Sequence, residues 1–198
     1  MVVLVKVKKS SPRNIEKAVS ELLRPYDEQL KVPEHEERCS CIGFSAYRRT
    51  YEKMRKKFGT TETREAQEFG KETFETDPDA SLPQATCELC NGTGKWGTTL
   101  NPNGKWDWWS FGGRWDRAIQ GDPSRTNAFS ISHTHELDGN TTTPQFLIDC
   151  NITPAAIVTP DGVWHEEERW KSWEWDDTSK SILSKNLETL AVGIDCHG

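Results

Sequence analysis

Two closely spaced cysteine pairs carry the clearest metal-binding pattern in the sequence. Cys39 and Cys41 are separated by one residue, and Cys87 and Cys90 are separated by two. A Cys-x-x-Cys pair can direct both thiolates at one tetrahedral ion, and a Cys-x-Cys pair can also chelate. We therefore predict one zinc ion held by four thiolates, which leaves no open coordination position and makes the ion structural. Independent reduced thiols and thiol redox chemistry are the alternatives.

A second candidate site is the tryptophan-rich stretch at residues 98–115, which mixes flat aromatic surfaces with charged and amide groups. Tryptophan can stack on a base, arginine can grip phosphate or carboxylate through two N–H groups, and the paired glycines Gly112 and Gly113 allow close backbone approach. The stretch predicts a recognition surface for a small anionic or nucleotide-like ligand. Its residues are Asn101, Asn103, Lys105, Trp106, Asp107, Trp108, Trp109, Arg114 and Trp115. The alternative is that these tryptophans pack the stretch onto the rest of the fold.

The catalytic candidates are Cys196, His197 and His165, with Asp149, Cys150 and Asp195 as neighbours that a fold could bring together. A cysteine with a histidine can act as nucleophile and base, and the same groups can hold a second metal ion. Adjacent strand residues point to opposite faces, so Cys196 and His197 do not automatically form a pair. The sequence has no glycine-flanked serine nucleophile, no phosphate loop and no His-Glu-x-x-His motif. A zinc-containing hydrolase or transferase is therefore the second hypothesis, behind a non-enzymatic binder.

Two further groups of residues have less specific patterns. His133 and His135 share a strand face but lack a third ligand at short spacing, so they favour an ordinary polar segment over a metal site. A helix predicted at 45–58 carries a basic face, which favours a solvated surface over an anion-attracting patch. In the second case it would contact nucleic acid or an acidic protein through Arg48, Arg49, Lys53, Lys56 and Lys57.

Composition restricts the partners and the compartment. The net charge of -6 and the pI near 5.5 argue against broad binding to duplex nucleic acid, which needs a basic face. No apolar run approaches the roughly 20 residues that cross a bilayer, and lysines follow the first apolar residues at once, so we expect neither a membrane span nor a signal peptide. We expect a reducing cytoplasm, with a small ligand, a host protein or a second copy of the chain as partner.

The pattern of apolar residues predicts alternating strands and helices. Predicted strands lie at 2–7, 145–149, 155–158, 163–165 and 191–194, and predicted helices begin at Ser11-Pro12 and cover 45–58, 60–74 and 178–190. The lysines after Val5 predict one wet face for the first strand. The stretch at 166–177 fits either a strand or a helix.

The order of these elements predicts an α+β fold. Without residues 26–143, the order is strand, helix, strand, strand, helix, strand, which is typical of a ferredoxin-like sandwich with helices on one face of the sheet. We expect residues 1–25 and 144–198 to form this sheet core, with the first and last strands at its centre. Residues 26–143 would be a long zinc-bearing, tryptophan-rich insertion after the first helix, ordered by its metal ion.

Several motifs recur in an order that resembles a known group of proteins. They are Arg-Pro-Tyr-Asp-Glu at 24–28, both cysteine pairs, Asn-Pro-Asn-Gly-Lys-Trp-Asp-Trp-Trp at 101–109, Gly-Gly-Arg-Trp at 112–115, Thr-Pro-Asp-Gly-Val-Trp-His at 159–165 and Asp-Cys-His at 195–197. Together they resemble a family of uncharacterised bacteriophage and prophage proteins. The resemblance implies a phage accessory protein acting in the bacterial cytoplasm, with interference in host defence or metabolism as its best-motivated role. Locally, Cys87 to Gly94 resembles one zinc repeat of the J-domain chaperones.

Overall fold

A computed structural model describes residues 1–6, 11–120, 137, 139–168 and 170–197 of the 198-residue chain. The strands are β1 (Val2–Val5), β2 (His35–Arg38), β3 (Lys95–Thr98), β4 (Trp108–Phe111), β5 (Thr141–Thr142), β6 (Ala156–Val158), β7 (Trp164–Glu166) and β8 (Leu190–His197). The helices are α1 (Pro12–Leu23), α2 (Phe44–Phe58), α3 (Arg64–Glu75), α4 (Pro144–Asp149) and α5 (Ser172–Ser184). No described helix combines the length and the apolar composition that a membrane crossing requires.

The chain forms two compact units. The sheet unit contains Met1–Leu30, Asn101–Glu167 and Trp175–Gly198, and the cysteine unit contains Lys31–Leu100 and Glu168–Glu174. This division differs from the predicted insertion at 26–143. The tryptophan-rich stretch from Asn101 onward lies in the sheet unit because β4 pairs along the whole of its length with β8.

The sheet unit is built on a mixed sheet with the strand order β4-β8-β1-β6-β7. β1 is antiparallel to β8 and parallel to β6, and β5 also pairs with β8. This architecture confirms the predicted α+β class, and it places β1 and β8 inside the sheet as expected. The ferredoxin-like arrangement is not confirmed, because β1 and β6 pair directly, whereas a split βαβ unit has another strand between them.

Helices cover both faces of this sheet, and the expectation that they cover one face is wrong. On one face, Val3 and Val5 of β1 pack against α1. On the other face, Val2 and Leu4 pack against α4 and α5. Because successive strand residues point to opposite faces, a strand covered on both sides is apolar throughout. All four residues of β1 are buried, so the prediction of one wet face for this strand is also wrong.

Local signals explain where several helices begin and end. Pro12 is the first residue of α1, as predicted, with Ser11 at its N-cap. The predicted strand at 145–149 is wrong, because these residues belong to α4: the Thr143 hydroxyl accepts a hydrogen bond from the Phe146 N–H, and Pro144 occupies the first turn. In the ambiguous stretch at 166–177, Glu166 is the last residue of β7 and residues 172–177 form the first half of α5.

The cysteine unit contains a two-stranded ladder and a pair of helices. β2 and β3 are antiparallel over four residue pairs. α2 and α3 confirm the two helices predicted after the first cysteine pair, and α2 ends at Gly59 in the left-handed conformation that favours glycine. The helices pack closely at Gly70, where an added Cβ would collide with Met54, and Phe58 meets Phe69 edge-on.

Candidate functional site

The four-cysteine cluster is assembled by the β2–β3 ladder and the turn before α2. Cys39 directly follows β2, and its N–H donates to the Gly94 carbonyl at 2.9 Å, just before β3 begins. The turn that contains Cys87 and Cys90 leads into Gly94, so the ladder brings the second cysteine pair to the first. Cys41 lies in the turn that leads into α2. Cysteines that lie 48 and 49 positions apart in sequence, Cys39 with Cys87 and Cys41 with Cys90, therefore converge through backbone pairing.

The four sulfur atoms form one compact cluster. Cys39 Sγ lies 3.6 Å from Cys87 Sγ, and Cys41 Sγ lies 3.5 Å from Cys90 Sγ. All four lie within 4.8 Å of one another. A tetrahedral site with Zn–S bonds of about 2.3 Å requires sulfur separations of about 3.8 Å, so the donor set fits such an ion. Three of the cysteines are buried and Cys87 is half-buried. The predicted four-cysteine cluster is confirmed as a group that could hold a metal ion.

Without a cation, four close sulfurs resist ionising together. Burial is the largest effect on Cys41 and raises its pKa to about 12. Burial also opposes the ionisation of Cys90, but hydrogen bonds from the Gly94 backbone and the neighbouring thiols lower its pKa to about 7. Cys41 and Cys90 therefore differ in how readily they ionise, and a divalent cation would supply the charge that lets all four sulfurs act as thiolate ligands.

The turn that follows Cys90 needs backbone conformations that favour glycine. Gly92 and Gly94 have positive φ angles of 77° and 78°, and a Cβ on Gly92 would press on the Ala85 backbone at 3.2 Å. The Thr93 hydroxyl donates to the Cys90 carbonyl at 2.6 Å and closes the turn. These contacts explain why Asn-Gly-Thr-Gly follows the second cysteine pair.

An ion pair fixes the segment that leads into the second cysteine pair. The Arg49 guanidinium on α2 donates to Asp77 at 2.6 Å and to Asp79 at 2.7 Å. The Asp77 side chain is 7% exposed, and the hydrogen bond from Arg49 is the main cause that lowers its pKa. Arg49, a member of the predicted anion-attracting patch, is therefore occupied by an internal carboxylate pair.

Several residues of the tryptophan-rich stretch are held by the fold. The buried Asn101 amide donates to the carbonyls of Pro25 and Asp27 at 2.7 and 2.9 Å. The Trp106 indole N–H donates to the Leu23 carbonyl at 3.0 Å, and Lys105 forms a 2.6 Å ion pair with Glu166. Trp109 packs against the sheet core on the face that α1 covers. These four predicted ligand residues have structural roles.

Arg114 also has an internal partner. Its guanidinium donates to the Asp195 carboxylate through Nε and Nη2 at 2.8–3.2 Å, and its backbone N–H donates to Asp195 Oδ2 at 3.0 Å. Asp195 is 2% exposed, whereas the Arg114 side chain is 60% exposed. Burial would raise the pKa of Asp195, but the Arg114 bonds outweigh it and hold this pKa below its usual value. The pair is charge-neutral, and one edge of the guanidinium faces solvent.

The paired glycines allow this arrangement. Gly112 and Gly113 both have positive φ, and a Cβ on Gly113 would overlap the Asp195 side chain. A Cβ on Gly112 would lie 2.5 Å from the Asn140 amide, which is fully buried. The predicted close approach of the glycine backbone is therefore confirmed, and its target is the sheet unit itself.

The exposed part of the stretch lies around the outer end of β4. Trp108 is 41% exposed and stacks on the His197 ring, with the centroids 5.8 Å apart and the planes 11° from parallel. Asp107 Oδ1 lies 3.6 Å from His197 Nδ1. Trp115 is 50% exposed, and Asn103 is exposed beside the turn at Asn101. We call Trp108, His197, Asp107, Arg114 and Trp115 the contact surface.

The register of β4 and β8 explains how this surface forms. Trp108 pairs with His197, and Ser110 pairs with Asp195 two residues along the strand. Alternate residues share a face, so the Arg114–Asp195 pair lies on the same face as the Trp108–His197 stack, about 7 Å further along. Sequence reasoning missed this stack and the role of Asp195, because both depend on strand register.

The structure does not bring the catalytic candidates together. Cys196 and His197 point to opposite faces of β8, since Cys196 contacts Met1 and His197 stacks on Trp108. Burial raises the pKa of Cys196 to about 12, so its thiol is a poor nucleophile. His165 lies on β7 and contacts Thr159 at 3.3 Å, and both β1 and β6 separate its strand from β8.

The other candidates offer no alternative site in the described residues. Asp149 accepts a hydrogen bond from Gln145 of its own helix, and Cys150 is exposed at the end of α4. His133 and His135 lie outside the described residues.

Comparisons of the chain with protein-family models, with curated proteins and with solved structures find no match.

Proposed function

We propose that this chain is a non-enzymatic binding protein that holds a small nucleotide-like ligand on its contact surface, while a structural zinc ion orders its cysteine unit. The exposure of Trp108 and Trp115 carries the first part of the proposal. Trp106 and Trp109 of the same motif are packed or bonded within the fold, so packing accounts for part of the motif only. The indoles that remain exposed stand beside a histidine and an arginine, which is the mixture that binds planar polar molecules.

Stacking is the main expected contribution to binding. A base placed against Trp108 would extend the Trp108–His197 stack, and base–aromatic stacking contributes about 1–3 kcal/mol per base. Asp107 can accept hydrogen bonds from the exocyclic amines or ribose hydroxyls of such a ligand. Trp115, which directly follows Arg114 in the sequence, supplies a second exposed ring.

Charge makes a smaller contribution than the sequence indicates. Lys105 and Arg114 are both paired with carboxylates, so neither offers a free positive charge. Arg114 can still donate through its solvent-facing N–H groups, and His197 adds charge when it is protonated. We therefore expect the affinity for an anionic nucleotide to change little with added salt.

The proposal is tested by incubating the protein with a bacterial nucleotide extract and identifying retained and converted molecules by mass spectrometry. We expect a nucleotide-like molecule to be retained unchanged, and we expect Trp108→Ala to lose it. Leu187→Ala is the control, because Leu187 is a similarly exposed apolar residue of the same unit. Conversion of the molecule would favour the enzyme hypothesis, and retention of nothing would refute the small-ligand proposal.

The choice of zinc follows from the donor set. Four sulfur ligands in a closed, largely buried site favour zinc over cations that prefer oxygen, and closure leaves no position for a substrate or water. The ion would therefore stabilise the cysteine unit and take no part in chemistry.

We also propose a biological setting and a fold relationship. The order of the tryptophan-rich motifs supports a phage accessory protein in the host cytoplasm that sequesters a host signal and so blocks defence. Expression in phage-challenged bacteria tests this: wild-type protein should raise phage yield, and Trp108→Ala should not. The elements β1, α1, β6, β7, α5 and β8 follow one another in the order of a ferredoxin-like sandwich, and we propose a variant in which the two hairpin strands exchange places and α1 and α5 cover opposite faces of the sheet. Magnetic resonance contacts between Val3 and Val158 on adjacent strands would test that variant.

A further inference from the structure

Helix α2 presents a regular stripe of aromatic and arginine side chains on its exposed face. Phe44 is 51% exposed and Tyr51 is 39% exposed, and Arg48 and Arg55 are exposed between and beyond them. At about 100° per residue, these four positions fall within about 60° of one another around the helix. The buried residues of α2 are Ala46, Thr50 and Met54, on a different face. The stripe is therefore not part of the packing between α2 and α3.

Helix α2 is strongly positive, and the structure shows which of its basic side chains are occupied by partners within the protein. The helix has six basic residues and one acidic residue, a formal charge of +5. Arg49 is occupied by Asp77 and Asp79, and Lys57 lies over the Phe69 ring at 4.0 Å. Arg48 has only an exposed, 3.6 Å pair with Glu52, which contributes little. Arg55 forms no ion pair with any residue that the structure describes.

We infer that this stripe binds single-stranded nucleic acid. Phe44 and Tyr51 are seven residues apart, about 10 Å along the helix axis, and Arg48 lies between them. Aromatic rings can stack on unpaired bases, and the arginines can contact the phosphates that link them. Because every base has a π-face and every nucleotide has a phosphate, we expect little sequence preference.

The observations favour a single strand over the other anionic partners. A duplex has its bases already stacked on each other and offers no faces to Phe44 and Tyr51. An acidic protein would neutralise Arg48 and Arg55, but it does not require exposed rings on either side of an arginine. The stripe differs from the contact surface in its charge, because its arginines are not paired with buried carboxylates.

Fluorescence anisotropy with a short labelled oligothymidylate, measured over a range of salt concentrations, tests the inference. We expect wild-type protein to bind and its affinity to fall with salt. The double variant with Arg48→Gln and Arg55→Gln should bind more weakly than wild type. Its slope of log K against log salt should be flatter by about 1.4, since each phosphate contact to a single strand contributes about 0.7. Phe44→Ala with Tyr51→Ala should lower the affinity about 10-fold or more and leave the slope unchanged.

Two controls separate the stripe from other effects. Arg64→Gln on α3 removes one positive charge from an exposed helix position in the same unit, and it should leave the slope close to that of wild type instead of flattening it by the roughly 0.7 expected for one phosphate contact. Leu187→Ala, at an exposed position of the sheet unit, should leave oligonucleotide binding unchanged. Phe44→Ala with Tyr51→Ala should leave retention of the small ligand unchanged, so failure of the small-ligand proposal is distinguishable from failure of this one. Metal content, measured for every variant, shows whether the cysteine unit has folded.

Four results would overturn the inference. They are no binding by wild-type protein at low salt, equal binding of a duplex, an equal loss of slope in Arg64→Gln, and displacement of the oligonucleotide by polyglutamate at the same charge concentration. The last result would assign the stripe to an acidic protein partner instead.

Discussion

Breaking the Arg114–Asp195 pair should destabilise the sheet unit, and the structure sets the size of the effect. Three side-chain hydrogen bonds and one backbone hydrogen bond from Arg114 reach a carboxylate that is 2% exposed. Hydrogen bonds to charged groups contribute about 1.5–3 kcal/mol when protected from water. Because the Arg114 side chain is 60% exposed, water screens the ion pair, and its contribution to stability is smaller than that of fully protected bonds. Arg114→Gln should therefore lower the free energy of unfolding by about 1–2 kcal/mol, with the backbone bond to Asp195 retained.

A double-mutant cycle isolates the pair. Urea denaturation of wild type, Arg114→Gln, Asp195→Asn and the double variant, at constant zinc, should give a coupling free energy of about 1 kcal/mol or more. A parallel cycle at Lys17 and Glu21, an exposed pair one turn apart on α1 in the same unit, should give only about 0.3–0.5 kcal/mol. Equal coupling in the two cycles would refute the idea that burial of Asp195 strengthens its pair with Arg114.

Three further predictions follow from the same contacts. Gly113→Ala should destabilise the protein more than Gly162→Ala in urea denaturation, because both glycines have positive φ but only a Cβ on Gly113 meets a neighbour; equal losses would contradict the close approach of Gly113 to Asp195. Since Arg114 holds the pKa of Asp195 below its usual value, the stability from this pair should be complete above about pH 4 and should fall as pH drops toward the folded-state pKa, so Asp195→Asn should show a shallower acid loss than wild type. Arg49→Gln should speed zinc release to a chelator, because it frees the segment at Asp77 and Asp79 that leads to the second cysteine pair, whereas Arg64→Gln should not; equal release rates would exclude this anchoring role.

Short-range signals in the sequence predicted the four-cysteine cluster and most helices. Two thiolates one or two residues apart can reach one ion only in a few backbone conformations, so the spacing of the cysteine pairs nearly determines their geometry. Local signals also explain why α1 and α2 were predicted. α1 begins at Pro12 and α2 is capped by Gly59, and each of these residues acts within one helical turn.

Long-range pairing explains what the sequence did not predict. Asp195 and Arg114 are 81 residues apart, and their contact depends on the register between β4 and β8. The division into two units depends on the same register, because it assigns residues from Asn101 onward to the sheet unit. The helix at 144–149 was missed because Phe146, Leu147 and Ile148 form a short apolar run between polar residues, which is typical of a buried strand, and the capping hydroxyl of Thr143 outweighs that pattern.

The measurement that tests the central claim most directly is elemental analysis, combined with native mass spectrometry, of protein purified without added metal. We predict about one zinc ion per chain, lost in variants with Cys41→Ser or Cys90→Ser and retained in Cys150→Ser, which alters an exposed cysteine outside the cluster. Removing the ion with a chelator should unfold the β2–β3 ladder and the α2–α3 pair, seen as loss of helical circular dichroism. Metal-free protein with its helical signal intact would contradict the claim that a structural zinc ion orders the cysteine unit.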